Sequence, residues 1–395
     1  TAIIWMAVAP NGRLYIADEI VQAGRSVEEH CATFTQRARA VETAVNTFLK
    51  PFLVGKDVTR IEDTWQSVFV SSYWRNGPVL GNALSGVDMA LWDILGKSLG
   101  VPVHQLLGGA VRDRVRIYGH LNTKTPHEAQ TQIPLKQELE ELREITQLQM
   151  DRGLTAFKFC PSDALEPIDN LKEVNKIVAR VASVREHIGD ERDLMLDFHG
   201  RFSLANARRL LPLLEPFNLL FVEEPVLPEY TKHFGLIVES TPIPIATGER
   251  LFLRTDFQDV LRTGLAVAQP DISHAGGISE LRRIAAMAET YNVFMAPHSP
   301  LGPINLAASL QLDFATPNFL IQEQVLGLGN PGTESNTHKF VDYGDFKVKD
   351  GYVELMTKPG LGIEVDEEAV AYVAANTKPW RAPEWTGRDG ALAEW

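Results

Sequence analysis

The sequence predicts an α/β fold built on a (β/α)8, TIM-type barrel, and two patterns carry that expectation. Between residues 115 and 324, eight short apolar runs alternate with amphipathic helical stretches: VRIYGH, TAFKFC, DLMLDFH, LLFVEEP, IPIATGE, LAVAQPD, VFMAPH and FLIQEQ. Runs that are apolar throughout fit strands of a parallel sheet covered on both faces. Seven of the runs also finish on chemistry-bearing residues: Lys158, Asp197 with His199, Glu223 or Glu224, Glu249, Asp271, His298 and Glu323. A parallel barrel gathers its C-terminal strand ends on one face, where functional groups converge. A doubly wound open sheet is the rival, and eight βα units favour the closed form.

Residues 1–114 read as a short β start followed by helices over about 27–52, 57–75 and 80–98, with Val41, Val45, Phe48 and Leu49 on one stripe. LSGVDMALWDILGKSLG predicts a helix with Ser85 as its cap and Gly100 as its stop. The barrel is expected over 115–334. Beyond it, 335–395 holds a β-like YVELM, a turn-rich KPGLGIEV and a tail rich in Trp and Pro. This segment is expected to return to the N-terminal region.

The chain has 395 residues, 45% hydrophobic and 23% charged, with a net charge of −13. Phosphate binding needs a basic face, so nucleic acid is not an expected partner. No apolar stretch reaches membrane-spanning length. An anionic ligand would need a local positive site. Cys31 and Cys160 are the only cysteines, which fits a reducing, cytoplasmic setting. The chain opens at Thr1 inside the apolar run AIIWMAV; no signal peptide is visible there, and a native start is expected to lie outside it.

Asp197, Glu223 and Glu249 are spaced by 26 residues each. That is one βα unit per step, so the three acids would sit side by side around the barrel rim. One acid at a strand end is ordinarily a helix cap or a solvated loop residue. Three in register, with histidines at neighbouring ends, point to a hard divalent cation such as Mg2+, which takes oxygen ligands. Strand neighbours face opposite ways, so Glu223 and Glu224 cannot both enter the mouth. The equal steps favour Glu223 as ligand and leave Glu224 a supporting role. Asp197 and His199, two apart, share a face. His298 and Asp271 close adjacent runs, either as a general base with an orienting carboxylate or as a buried structural pair. The HAGG turn at 274–277 is a weak phosphate-loop signal and reads as structural.

Several long segments carry a family resemblance: RNGPVLGNALSGVDMALWDILGK, LDFHGR, VEEPVLPE, ATGERLF, QPDISHAGGISE, APHSPLGPINLAA, QEQ, TKPGLGIEVDE and the closing AEW. The chain resembles the enolase superfamily, in its mandelate racemase-like group of acid-sugar dehydratases, and within that group the galactonate dehydratases. The resemblance implies an α+β capping domain built from both termini over a modified barrel. It implies one Mg2+ per subunit, held by Asp197, Glu223 and Glu249. His298, backed by Asp271, would take the C2 proton of a sugar acid, and His199 would protonate the departing 3-hydroxyl. Glu323 would hydrogen-bond a substrate carboxylate oxygen, with Lys158 assisting at substrate or metal-bound oxygens. The expected reaction converts D-galactonate, through an enediolate, to a 2-dehydro-3-deoxy acid, and a homo-oligomer is expected.

Two departures from the group's pattern bear on specificity. The second strand of its racemases carries two lysines at alternate positions; here Lys158 is present but Cys160 fills the second, which opposes two-base racemisation. The galactonate enzymes have Asn at that place. The segment GHLNTKTPHEAQTQIPLKQELEEL after the first strand also differs and looks longer. Trp74 and Arg75 are candidates for closing over the distal end of the sugar, with surface packing as the plain alternative. The competing readings are dehydration of another aldonate or aldarate of gluconate type, racemisation or epimerisation, and a non-catalytic metal-binding homologue. The last would need a broken site, and fold alone does not decide it.

Overall fold

The computed structural model describes residues 6–8, 14–16, 38–121, 133–300, 302–324, 341–342, 348–376 and 384–394. Cys31, the 122–132 part of the segment after the first barrel strand, and the closing Trp395 lie outside the described residues.

The chain opens with an antiparallel pair, β1 (Met6–Val8) and β2 (Leu14–Ile16). Helices α1 (Ala38–Thr43) and α2 (Lys50–Leu53) follow, joined through a π-helical turn at Ala44–Leu49. Next come α3 (Ile61–Ser71), α4 (Leu80–Leu99) and α5 (Val103–Leu106). Gly100 ends α4 in the left-handed region at φ 70°, as glycine does at helix ends. Ser85 is not the cap. It sits inside α4, donating to Gly81 O at 2.7 Å, a back-bond to the preceding turn that lets a helix carry a serine in its interior.

After β3 (Arg114–Arg116), the parallel sheet runs β4 (Gly119–His120), β5 (Ala156–Phe159), β6 (Asp193–Asp197), β7 (Phe221–Glu223), β8 (Ile245–Thr247), β9 (Val267–Ala268) and β10 (Phe294–Met295), neighbours in that order. Residues 319–322 close the ring. They bridge Met295 on one side and Ile117 on the other, with Leu320 N donating to Met295 O and Tyr118 N to Gln322 O. Crossover helices α6 (Leu135–Asp151), α7 (Leu171–Ile188), α8 (Leu204–Leu214), α9 (Phe234–Val238), α10 (Arg254–Leu261), α11 (Gly277–Thr290) and α12 (Pro303–Ala315) follow the first seven strands. Asn170 and Ser203 cap α7 and α8 by accepting backbone N–H groups.

Eight buried residues, one in or beside each of the seven strands and one from residues 319–322, fill the barrel interior: Tyr118, Ala156, Met195, Phe221, Ala246, Val267, Ala296 and Ile321. This layer is the floor of the mouth above it. Helix α4 lies against α11, and the HAGG turn is where they lock. Trp65 Nε1 donates to Gly276 O at 2.8 Å, and Gly276 N donates to Ser85 Oγ at 2.8 Å. Trp92 Nε1 donates to Ser279 Oγ at 2.9 Å, while Asp88 accepts from Ser279 N and Oγ. Gly276 N is thus spent on α4, while His274 N and Ala275 N donate to Asp271 O and Gly277 N to Ile272 O, in keeping with a structural role.

The chain after the barrel makes two separate returns. β11 (Val348–Lys349) and β12 (Tyr352–Glu354) add to β3, and Leu361 N then donates to Asp93 on α4 at 2.7 Å. The hairpin of Trp385–Thr386 with Leu392–Ala393 docks instead on the barrel, where Arg388 N donates to Glu166 Oε1 at 3.0 Å.

Candidate active site

Alternation along the strands builds the site from its floor. Two positions beyond each floor residue lie His120, Lys158, Asp197, Glu223, Gly248, Gln269, His298 and Glu323, and side chains two apart on a strand share a face. Asp197 and Glu223 are direct register partners. Glu249 is not their register partner, because Glu223 pairs with Ala246. Plain alternation would put Gly248 in the mouth and turn Glu249 away. Gly248 has φ 149°, a conformation side-chain-bearing residues avoid. A Cβ there would lie 2.8 Å from Gln269 backbone. This glycine re-aims the chain so that Glu249 replaces it in the mouth.

Ligand atoms of Asp197, Glu223 and Glu249 all lie within 4.8 Å of one another. Glu223 Oε1 is buried without a hydrogen-bond partner. Burial, then the nearby Asp197, pushes Glu223 up to about 8 against the pull of Lys158. Three converging hard oxygen donors, one with an unpartnered buried oxygen, fit a divalent cation of Mg2+ type. Glu224 has φ 38° and turns to Arg250, whose Nη2 and Nε donate to it at 2.5 and 3.2 Å.

Lys158 Nζ stands 2.7 Å from Glu223 Oε2, 3.0 Å from Glu323 Oε1 and 3.6 Å from Asp197 Oδ2. Burial would lower its affinity for a proton, but Glu223 and Glu323 outweigh it and hold it well above the ordinary range. Glu323 accepts from Ser299 N at 2.8 Å and lies 2.9 Å from His120 Nε2. Burial opposes its charge, yet Lys158, His298 and His120 keep it well below the usual carboxylate range.

The two histidines flank the acids. His199 Nε2 is 3.1 Å from Asp197 Oδ2, and its backbone N donates to Asp197 Oδ1 at 2.9 Å, with φ 48°. On the far side, His298 Nε2 is 3.1 Å from Glu249 Oε2, and its Nδ1 is 2.7 Å from Asp271 Oδ2. Burial would depress His298, but Glu249, Glu323 and Asp271 together push it up to about 10. Asp271 Oδ1 accepts from Ser273 N at 2.6 Å and from Asn305 Nδ2 at 2.9 Å. His274 reaches the same carboxylate at 3.8 Å and meets Asn82 of α4 through Nδ1 at 2.8 Å.

Cys160, at the end of β5, accepts from Arg201 Nη1 at 2.8 Å. Burial would raise its thiol, but Arg201 and His199 outweigh that and bring it down to about 6. Trp74 and Arg75 lie on the loop between α3 and α4. Trp74 is 79% exposed and packs edge-on against Tyr73. Arg75 lies over the Phe69 ring and lines a cavity with Leu84, Phe252 and Leu253. His120, Arg201, Arg250 and Asn305 are the members of the site that sequence reasoning overlooked. His120 left a signal as the polar end of VRIYGH, and the other three lie inside the segments LDFHGR, ATGERLF and APHSPLGPINLAA.

Similarity to known proteins agrees with this geometry. Residues 19–108 match the mandelate racemase / muconate lactonizing enzyme N-terminal domain, and residues 140–369 match the enolase C-terminal domain-like family. The chain is 44% identical over 361 residues to D-galactonate dehydratases of Variovorax paradoxus and Pectobacterium atrosepticum, covering 91% of each chain. Among solved structures, an enolase from Pantoea ananatis with bound D-gluconate and magnesium superposes with TM-score 0.75 at 33% identity, covering 87% of this chain and 86% of that one. An enolase from Agrobacterium radiobacter with bound sodium and L-malate gives TM-score 0.78 at 34% identity, covering 90% of both. No helix among the described residues is long and apolar enough to cross a membrane. With a family match across most of the barrel and another across the helices that dock on it, the chain belongs to the enolase superfamily, in its mandelate racemase / muconate lactonizing enzyme branch.

Proposed function

We propose that this protein is a Mg2+-dependent hydro-lyase that dehydrates D-galactonate to its 2-dehydro-3-deoxy acid. One observation carries the reading: two histidines flank the three-carboxylate cluster, and one of them is oriented by a buried carboxylate. The substrate comes from the relatives of this length and identity, which are D-galactonate dehydratases.

Bound at Asp197, Glu223 and Glu249, Mg2+ would supply positive charge where the substrate carboxylate gathers negative charge, and would cancel the pull of Glu249 that holds a second proton on His298. Asp271 keeps a proton on His298 Nδ1, so Nε2 is then the nitrogen that accepts the C2 proton. The C2–H electron pair becomes the C1–C2 double bond of an enediolate. That pair then moves to C2–C3 as the C3–O bond breaks, and His199 gives its Nε2 proton to the leaving oxygen, releasing water. The resulting enol becomes the 2-keto acid. Lys158, protonated and surrounded by acids, is the donor suited to the substrate carboxylate. Glu323 anchors Lys158 and His120 in its ionised form, and would itself donate to the substrate only after gaining a proton. Cys160 at the alternate position supplies no second lysine base, which favours elimination over racemisation.

A gluconate-type aldonate is the second reading, favoured by the gluconate-bound relative. The same proposal carries one Mg2+ per subunit and a cytoplasmic homo-oligomer. The test is a panel of aldonates and aldarates with purified protein and Mg2+, read by 2-keto acid formation and by C2 deuterium uptake in D2O. Turnover of D-galactonate alone is the expected result. Turnover of another acid keeps the chemistry and moves the substrate. Absence of both turnover and exchange across the whole panel overturns the enzyme reading.

A further inference from the structure

The edge of His199 turned away from Asp197 meets a second group of residues. Arg201 Nη2 stands 3.5 Å from His199 Nδ1. The same guanidinium donates through Nη1 to Ser162 O at 2.6 Å and to Cys160 Sγ at 2.8 Å. Its flat face is covered by Trp385, with the guanidinium carbon 4.6 Å from the ring centroid. Trp385 is 4% exposed, although it comes from the C-terminal hairpin. That hairpin is fastened to the loop after β5 and to α7 through Arg388, which meets Glu166 and Glu173. A planar guanidinium stacked on an indole and tied at its fork has little freedom left.

We propose that Arg201 and Trp385 are positioning residues for His199, and that the C-terminal hairpin thereby controls the protonation of the leaving group. This rests on His199 being the acid of the proposed dehydration. His298 is held by Asp271, which is itself held by Asn305, on the other side of the mouth. Loosening the hairpin should therefore disturb the second half of the reaction and leave C2 proton removal intact. General loss of structure would damage both halves together.

The experiment uses full-length chains carrying Trp385→Ala, Trp385→Phe and Arg201→Lys. In D2O with D-galactonate and Mg2+, Trp385→Ala and Arg201→Lys should lose dehydration at least tenfold while C2 exchange stays within about twofold of the parent. Trp385→Phe, which keeps a ring over the guanidinium, should recover most of the dehydration. A second readout needs no turnover. In [15N]histidine-labelled, metal-free protein, the His199 ring signals should shift or broaden in Trp385→Ala and not in Trp385→Phe, while those of His298 stay in place. Equal losses of exchange and dehydration, or unmoved His199 signals in Trp385→Ala, overturn the proposal. If the parent protein leaves D-galactonate untouched, the proposed function falls on that result, and the ring signals alone decide whether the hairpin positions His199.

Discussion

His298 Nδ1 lies 2.7 Å from Asp271 Oδ2, and this contact decides which ring nitrogen faces the mouth. Asp271 is itself held by Ser273 N and Asn305 Nδ2, so the imidazole is oriented by the loop after β9 and by α12 together. Replacing it should disable the first step without removing the metal site. In His298→Asn, dehydration and C2 exchange should both fall by about 10²–10⁴-fold, while Mg2+ affinity measured by calorimetry stays close to that of the parent. Retained exchange would assign the base elsewhere.

The carboxylate cluster predicts a strong coupling between metal and stability. At Mg2+ near 100 times its dissociation constant, the native state should gain about 2.7 kcal/mol, seen as a rise in melting temperature that chelation reverses. Glu223→Gln removes one ligand charge from a fully buried position and should abolish both the shift and the turnover. A full Mg2+ shift in that variant would exclude Glu223 from the metal site.

Gly248 predicts a substitution that acts on the metal without touching a ligand. Alanine there meets a φ of 149° and Gln269 backbone at 2.8 Å. Gly248→Ala should cost on the order of 1–3 kcal/mol in urea unfolding. It should also weaken Mg2+ binding by at least tenfold, because Glu249 loses its aim. Unchanged Mg2+ affinity would show that the aim of Glu249 does not depend on this glycine.

Asp88 predicts a pH dependence away from the mouth. Burial holds its carboxyl up at about 7, against 3.8 for the free group, although Ser279 donates to it twice. The folded chain thus keeps a proton that the unfolded chain has released. Stability should fall as pH rises from about 4 to about 7 and then level off. Comparing Asp88→Asn with the parent by urea unfolding at pH 5 and pH 8 isolates this contribution. The variant should show the smaller decline, and equal declines would assign the pH dependence to other groups.

The barrel was legible because buried parallel strands write themselves as apolar runs, and the three clustered acids because they stand at run ends. The spacing that identified Glu249 worked for a reason different from the one it suggested. Asp197 and Glu223 are register partners, whereas Glu249 reaches the mouth only through the backbone of Gly248. Ser85 misled because the chemistry that caps a helix also tolerates its interior. Arg201 and Trp385 could not be paired from sequence, since nothing local in either ties a terminal hairpin to a barrel loop. Arg250 is a milder case: it is adjacent to Glu249, yet its partner Glu224 lies one βα unit earlier.

The ring of strands has one seam. Seven strands join neighbours that are one crossover apart in the chain, but residues 319–322 must find Ile117, about 200 positions away, through an isolated bridge. Joining so distant a pair costs more loop entropy than any other strand junction, against two backbone hydrogen bonds, from Tyr118 N to Gln322 O and from Gln322 N to Arg116 O, so this edge is expected to part first in unfolding. His120 and Glu323 lie 2.9 Å apart across that edge. The catalytic mouth is therefore also the latch of the barrel, and a ligand gripping both sides of it would slow the unfolding of the whole domain.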